Sequence, residues 1–391
     1  MKCPLRSALL LIAISATLIA QERASFKLDS LWHPTTEMPK ASDLTELQNV
    51  AFRVIKKRQP EIDGFNWLHG VALAWHDNLL FASFGINKGK ENTASEEARS
   101  QTSTDGGQTW SSLTMIDDGE EADLAVSHGV FLSHAGTLWA FHGAFYRRLE
   151  KVHTRAYTYD SAAKRWQKKG VVAESGFWPM QEPHKMENGD WIMAGLKVVG
   201  GVGGLNDPAA VVISKGDDFT TWEVIEIPRQ EGLGLWGEST IDVEGSHITC
   251  ISRKHEPKAL VAHSNDYGRT WSPMKPSDLL MAASKPYAGR LSNGQRYLVN
   301  TTTANSGNRR SPLTIAVSQP GEASYSKVFC IRNAVFPQGQ GESHPKAALS
   351  YPYAIERAGR LYIAYSNDGG RGANRNSAEL AIIPLDQLNT P

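Results

Sequence analysis

The sequence predicts an all-β fold, a six-bladed β-propeller, and three observations lead to this prediction. Small or polar turn pairs recur six times, each followed by a short run of apolar, aromatic and β-branched residues. A turn motif that ends in Trp is repeated between these runs. No long stretch has the periodicity of an amphipathic helix, and Gly and Pro recur between the runs. Repetition of this kind is typical of propeller blades.

The six turn pairs indicate β-hairpins, one for each blade. Their first positions are separated by about 58, 53, 56, 49 and 65 residues, a quasi-period close to the length of a blade. In chain order they are Asp77-Asn78, Ala135-Gly136, Asn188-Gly189, Glu244-Gly245, Asn293-Gly294 and Ala358-Gly359.

The Trp-containing turn has the Ser-x-Asp-x-Gly-x-Thr-Trp pattern of an Asp box, at Ser103 to Trp110 and again at Ser264 to Trp271. Degenerate copies run from Ser214 to Trp222 and, more faintly, from Tyr159 to Trp166. Within the box the Asp accepts hydrogen bonds from turn amides and the Gly adopts backbone angles that other residues resist. We therefore expect Asp105 and Asp266 to have a structural role rather than a catalytic one.

Charge and composition exclude several function classes. The chain has 41 Lys and Arg against 41 Asp and Glu, so it lacks the basic field that would hold a nucleic acid. Cys250 and Cys330 are too few and too far apart for a structural zinc site. We expect them to be buried free thiols, with a single disulfide as the alternative. No metal or cofactor is predicted.

The first 20 residues have the charge order of a secretory signal peptide, with Lys2 and Arg6 before an apolar run. We expect an exported protein, secreted or periplasmic, with no membrane span after cleavage; an uncleaved membrane anchor is the alternative. Residues 21–60 are predicted to be a leading segment that precedes the first blade and packs on the outside of the fold. Residues 61–391 are predicted to form the propeller.

Asp boxes on a six-bladed repeat resemble the sialidase (neuraminidase-like) superfamily, from about Trp67 to Ser366. Members of that family clamp the substrate carboxylate with three arginines, attack with a Tyr paired to a Glu, and protonate the leaving group with an Asp. The chemistry suits these residue types, because guanidinium groups bind a carboxylate bidentately and a neutral Tyr is not repelled by the anionic substrate.

The resemblance implies a set of site residues in this chain. Gly237-Glu238-Ser239-Thr240, before a hairpin that ends in Ser252-Arg253, is similar to the segment with the family's Glu and second arginine, which makes Glu238 and Arg253 candidates. Arg310, with Arg309 as the alternative, matches the third arginine. Tyr351, with Tyr353 as the alternative, matches the nucleophile. His184 is a further candidate for substrate contact, because its turn holds the place in the third repeat that Glu238 holds in the fourth.

Two positions depart from the family pattern. His69 stands where the first arginine is expected. The stretch expected to hold the general acid offers Glu96 and Glu97 and no Asp. Three other arginines are candidates for a displaced third guanidinium, namely Arg147, Arg148 and Arg290.

Each of these residues also fits a purely structural role. Glu238 and Arg253 fit an ion pair between blades, Arg310 a solvated loop, and Tyr351 a core aromatic residue. The position of His69 fits a histidine that packs among aromatic residues as well as one that lines a cavity. For His128, His134 and His142 we favour structural roles over a metal site, because their spacing separates them across a turn.

Three functions follow. In each, we expect a monomeric protein whose partner is a glycan with an acidic sugar. The first is a sialidase-like exo-glycoside hydrolase that removes a terminal acidic sugar. The second is a polysaccharide lyase or rhamnosidase that acts on rhamnose-glucuronate linkages, with His69 as its base or acid. The third is a glycan-binding propeller without catalysis.

Overall fold

The computed structural model of the protein describes residues 29–200, 206–337 and 339–390. The predicted signal peptide, residues 1–20, and the first part of the leading segment lie outside these ranges. Six mainly antiparallel sheets make up the fold, and their innermost strands contact one another in a closed ring. The prediction of an all-β, six-bladed propeller is confirmed.

Short elements precede the first blade: a 3-10 helix (Ala41–Asp43), β1 (Thr45–Glu46), β2 (Ala51–Lys56) and the helix α1 (Pro60–Asp63). Blades 1 and 2 then each use four consecutive strands, which are β3 (Trp67–His76), β4 (Leu79–Asn87), β5 (Glu97–Ser103), β6 (Thr114–Asp117), β7 (Leu124–His134), β8 (Thr137–Tyr146), β9 (Glu150–Asp160) and β10 (Arg165–Ala173).

The inner strand of blade 3 is split in two, and both halves pair with the same neighbour. The strands of blades 3 and 4 are β11 (Phe177–Pro179), β12 (His184–Lys185), β13 (Trp191–Lys197), β14 (Ala209–Ser214), β15 (Glu223–Glu226), β16 (Leu235–Glu244), β17 (His247–Lys254), β18 (Ala259–Ser264) and β19 (Lys275–Pro276).

Blades 5 and 6 complete the ring with β20 (Tyr287–Arg290), β21 (Arg296–Asn300), β22 (Leu313–Ser318), β23 (Tyr325–Arg332), β24 (Leu349–Arg357), β25 (Arg360–Asn367) and β26 (Ser377–Pro384), followed by a 3-10 helix (Leu385–Leu388).

The leading segment closes the ring. Strand β2 pairs antiparallel with β26, with Ala51 opposite Ile382 and Phe52 opposite Ala381, and so supplies the outer strand of blade 6. Strand β1 adds in parallel to the outer edge of blade 5. Blade 6 therefore contains strands from both ends of the described chain, and a boundary at residue 61 separates β2 from the other strands of its blade.

Five of the six predicted turn pairs lie between the first two strands of a blade, and at the sixth Glu244 ends β16 and the turn is Gly245-Ser246. At Asp77-Asn78, Ala135-Gly136 and Ala358-Gly359, both residues have positive φ. This is the backbone of type I′ turns, whose twist matches that of the strands they join.

The Asp boxes connect the third and fourth strands of blades 1 and 4. Asp105 Oδ1 accepts hydrogen bonds from the N–H groups of Gln108 (3.0 Å) and Thr109 (2.9 Å). Bonds from the Thr109 side chain and backbone lower the pKa of Asp105 to about 2. Asp266 binds Thr270 in the same way. The prediction of a structural role for both residues is confirmed.

The core lies between blades, because the inner strands are buried on both faces. Nine of the ten residues of β3 are buried, whereas β10, an outer strand, is mostly exposed. Phe131 stacks on Trp166 with 5.8 Å between ring centroids. Cys250 and Cys330 are buried and free, as predicted. Within the described ranges, no helix has the length and apolar character needed to cross a membrane.

Candidate active site

β-Bulges interrupt the inner strands of four blades. Strand pairing skips two residues at each of Gly70-Val71, Ser127-His128, Gly237-Glu238 and Tyr351-Pro352. A bulge redirects side chains that regular pairing would hold in the sheet. His128, Glu238 and Tyr351 lie in bulges, His69 directly precedes one, and all four line a cavity of about 270 Å³. We call this space the central cavity.

Two of the bulges need glycine because the backbone meets its neighbours there. A Cβ on Gly70, whose φ is 65°, would lie 2.2 Å from Cγ of His128. A Cβ on Gly237 would lie 2.1 Å from the carbonyl oxygen of Pro208. A larger residue at Gly70 would displace the His128 side chain, and one at Gly237 would displace the backbone at Pro208.

Tyr351, Glu238 and Arg253 form one hydrogen-bonded cluster in the wall of the central cavity. The Tyr351 hydroxyl donates to the Glu238 carboxylate. Arg253 Nη1 lies 2.5 Å from Glu238 Oε2 and 3.5 Å from Tyr351 Oη. All three residues are buried, and burial, together with the Glu238 charge, raises the pKa of Tyr351 well above its usual value. Tyr351 is therefore a neutral phenol with a carboxylate positioned to accept its proton.

The backbone at Tyr351 is strained, and its contacts hold it there. Its φ is 53°, in the left-handed region, which costs a non-glycine residue about 1–2 kcal/mol. Strain of this kind is concentrated at functional sites, where the surroundings enforce the conformation.

Two arginines line the central cavity, Arg253 and Arg310. The Arg253 guanidinium lies over the Trp236 ring, 3.9 Å from its centroid. Arg310 Nη2 donates to the Ala283 carbonyl (3.1 Å), and within the described ranges no carboxylate lies at ion-pair distance from it. Arg310 thus has a positive charge available for an anionic ligand.

Two uncharged histidines complete this side of the cavity. The His69 ring lies 3.7 Å from the Tyr351 ring, and its Nδ1 is 3.3 Å from the Asn376 amide nitrogen. Burial and the neighbouring His128 and Arg310 lower the pKa of His69 well below its usual value. His128 packs 5.0 Å from Trp178, and burial lowers its pKa to about 3. Both rings are therefore neutral near pH 7.

The mouth of the cavity holds an acidic residue on the 88–95 loop. Glu91 is exposed at the rim, lines the cavity, and accepts a 2.8 Å hydrogen bond from the Asn374 side chain. Desolvation by the protein atoms around the mouth raises the pKa of Glu91. The cavity is also lined by apolar side chains, namely Leu149, Trp178, Met180, Leu196 and Val198.

Comparison with known proteins agrees with this architecture. Residues 77–363, more than half of the chain, match the family described as a BNR repeat-like domain. The chain belongs to this family. No curated protein sequence matches the chain.

Solved structures with the same fold include sialidases. The BNR propeller is similar to a protein of unknown function from Dyadobacter fermentans (14% identity, 86% of this chain and 99% of that one, TM-score 0.65). It is also similar to the K499G mutant of NanB sialidase from Streptococcus pneumoniae (11% identity, 86% and 71%, TM-score 0.64). The intramolecular trans-sialidase of Ruminococcus gnavus is 12% identical, and the match covers 83% of this chain and 96% of that one with a TM-score of 0.62. At these identities the likeness establishes a sialidase-like fold.

The BNR propeller brings together Tyr351, Glu238, Arg253, Arg310 and His69 among the residues considered in the sequence. The alternatives lie elsewhere. Arg309 is exposed beside the cavity, and Tyr353 is buried outside the cavity lining, 4.8 Å from the Tyr287 ring. His184 pairs with Ile192 on β13 and lies 4.0 Å from Glu182. Arg147, Arg148 and Arg290 are exposed and outside the cavity.

Neither Glu96 nor Glu97 reaches the cavity wall of the BNR propeller. Glu96 is buried beneath the 88–95 loop, where its carboxylate accepts the Asn92 backbone N–H and burial raises its pKa to about 8. Glu97 forms an ion pair with Arg99 at 2.9 Å on β5. The acid of this region that lines the cavity is Glu91, five residues before Glu96. Asp207, a buried residue just before β14, also lines the cavity, and burial raises its pKa.

His128 also lines the cavity, although the spacing of the three histidines favoured a structural role. His142 instead bonds to the Ser127 carbonyl, and His134 contacts Asp217. No group of metal-binding side chains occurs among the residues that the structure describes. The sequence does hold a signal that His128 lines the cavity. It stands seven residues before its hairpin loop, as Tyr351 and Glu238 do before theirs.

Proposed function

We propose that the protein is an exported, monomeric exo-glycosidase that removes a terminal acidic sugar from a glycan, with Tyr351 as nucleophile. The observation that supports this most is the buried Tyr351–Glu238–Arg253 cluster in the wall of the central cavity. A tyrosine paired with a carboxylate is the arrangement that activates a neutral nucleophile.

The first half of the reaction forms a glycosyl-enzyme. The Tyr351 oxygen bonds to the anomeric carbon and passes its proton to Glu238. The bond from the anomeric carbon to the leaving oxygen breaks, and Glu91, whose pKa is raised by desolvation, donates a proton to that oxygen.

The second half releases the sugar. Ionised Glu91 takes a proton from a water molecule, whose oxygen bonds to the anomeric carbon. The bond to the Tyr351 oxygen breaks, and that oxygen recovers its proton from Glu238. Two displacements at one carbon retain its configuration.

The substrate carboxylate would bind Arg310 and Arg253. With His69 neutral and in the place of a third arginine, this clamp has two cationic arms. We therefore expect weaker binding of the carboxylate than three guanidinium groups would give.

The test is turnover by the Tyr351→Phe variant, with Tyr353→Phe as its matched control. The purified protein is incubated with fluorogenic sialosides and with rhamnose-glucuronate oligosaccharides, and products are identified by mass. Tyr351→Phe should lose about 100-fold or more of kcat, because it removes the attacking oxygen. Tyr353→Phe removes a hydroxyl outside the cavity and should stay within a few-fold of wild type. Full turnover by Tyr351→Phe would refute the assignment.

The contact of His69 with Tyr351 favours one second candidate, a uronate lyase. Neutral His69 would take the C5 proton of a uronate held by Arg310, the C4–O bond would break, and Tyr351 would protonate the leaving oxygen. The product would be an unsaturated uronate that absorbs ultraviolet light, with no water added. His69→Ala should abolish this reaction and only weaken a hydrolase.

A further inference from the structure

A second, larger cavity opens beside the central cavity, between blades 2 and 3. It has a volume of about 680 Å³, within the range of about 300–1,000 Å³ that is typical of ligand pockets. Leu149 and Val198 line both cavities, so the two spaces adjoin across these side chains. We call the larger one the side groove.

Exposed apolar side chains are concentrated in the side groove. The described residues expose four large hydrophobic side chains, and two of these, Val171 (44% exposed) and Val199 (57%), line it. Val152 and the shared Leu149 and Val198 add further apolar surface. Apolar surface that is grouped in a concave site marks a place where a ligand binds.

Of the five Lys, Arg and Glu residues that line the side groove, Arg155 and Glu121 are paired with each other. Arg155 Nη2 lies 3.0 Å from Glu121 Oε1, and the Tyr146 hydroxyl donates to the same carboxylate. The Lys151 ammonium lies 5.7 Å from the Tyr146 ring centroid. The three carboxylates and two cations of the groove nearly balance, so an ion gains little net attraction there. They still offer many donors and acceptors, which suits a neutral ligand rich in hydroxyl groups.

We propose that the side groove binds neutral sugar units on the leaving-group side of the substrate. This inference rests on the proposed exo-glycosidase function. The central cavity, at about 270 Å³, has room for one terminal sugar, so the rest of a glycan must leave through its mouth. The side groove adjoins that cavity and combines apolar side chains for the C–H faces of sugar rings with polar groups for their hydroxyls.

The first experiment compares two substrates, sialyllactose and 4-methylumbelliferyl sialoside, in the Val171→Asp/Val199→Asp variant. Only the trisaccharide reaches the groove. We expect KM for sialyllactose to rise about tenfold or more, because the substitutions remove apolar contact area. The kcat/KM for the fluorogenic sialoside should change less than about twofold. Val335→Asp is the matched control, since Val335 is equally exposed (58%) and lies outside the groove. Equal losses on both substrates, or no loss on either, would overturn the proposal.

The second experiment separates this proposal from the proposed function. Binding of lactose alone to wild type is measured by saturation-transfer NMR, which requires no turnover. Lactose binding that is lost in the double variant and kept in Val335→Asp supports the groove, even if no sialoside is cleaved. Sialoside cleavage without lactose binding would support the hydrolase and refute the groove.

Discussion

At the scale of single residues, Glu91 and His69 make this cavity different from the pattern that the sequence resembles. Glu91 supplies the carboxyl group at the mouth, held by Asn374 at 2.8 Å. His69 lies against Tyr351 where the pattern has a guanidinium. A neutral ring cannot replace the charge of an arginine, so Arg310 is the main anchor left for a substrate anion.

Replacing Glu91 by Gln tests its role as the general acid. We expect kcat on a sialoside with a sugar leaving group to fall by about 100-fold or more, because no proton reaches the departing oxygen. For an aryl sialoside, the rate of leaving-group departure should fall much less, since a phenolate leaves without protonation. The measurement is kcat on both substrates.

The pH dependence gives a second readout for Glu91. Wild-type kcat should fall as pH rises and Glu91 loses its proton. Because the pKa of Glu91 is raised, this fall should occur at higher pH than for an ordinary glutamate. Glu91→Gln should lack this part of the profile, and Glu97→Gln, which removes a paired carboxylate outside the cavity, should keep it. Loss of activity in Glu97→Gln alone would contradict the assignment.

At the scale of elements, the bulge in β24 depends on a buried lysine from the neighbouring blade. Lys285 Nζ donates to the Pro352 carbonyl at 2.9 Å, a group in the stretch where β24 does not pair with β25. The ammonium also lies 5.3 Å from the Tyr287 ring and 5.8 Å from the Tyr353 ring. A buried carbonyl without a partner costs about 1–3 kcal/mol, so Lys285 stabilises the segment that positions Tyr351.

Lys285 should make stability depend on pH in a predictable direction. Burial lowers its pKa from 10.5 to about 8. Between these values the unfolded chain binds more protons than the folded one, so this residue's contribution to the free energy of unfolding increases as pH rises. Across that window wild type should gain about 3 kcal/mol relative to Lys285→Met.

Chemical denaturation of both proteins at pH 7 to 10.5 measures this difference. Lys40→Met, at an exposed position, is the control and should follow wild type throughout. A constant difference between wild type and Lys285→Met across the window would contradict the prediction.

At the scale of the whole molecule, the ring is held closed by β2. This strand covers the outer edge of β26, which pairs on its other side with β25. Without β2, the eight residues of β26 would present an unpaired edge, a template for aggregation. The closure also fixes the position of blade 6 relative to blade 1, and therefore the position of Tyr351 relative to His69.

Truncation tests the closure. A chain that begins at Lys57 lacks β1 and β2, and we expect it to aggregate or to lose cooperative thermal unfolding, because blade 6 has three strands. A chain that begins at Asp29 keeps both strands and is the control. Calorimetry and light scattering measure the outcome. A stable, monomeric propeller from the shorter chain would show that β2 is dispensable.

The sequence by itself determined the number of blades, the hairpins and the Asp boxes, because each is a local pattern of turn residues and apolar runs. Motifs around Gly237-Glu238, Arg310 and Tyr351 likewise pointed to side chains that the fold brings into one cavity. Only the tertiary structure decided that Glu91 rather than Glu96 or Glu97 reaches that cavity and that β2 closes blade 6. These features depend on which distant segments pack together, and that is not encoded in a local pattern.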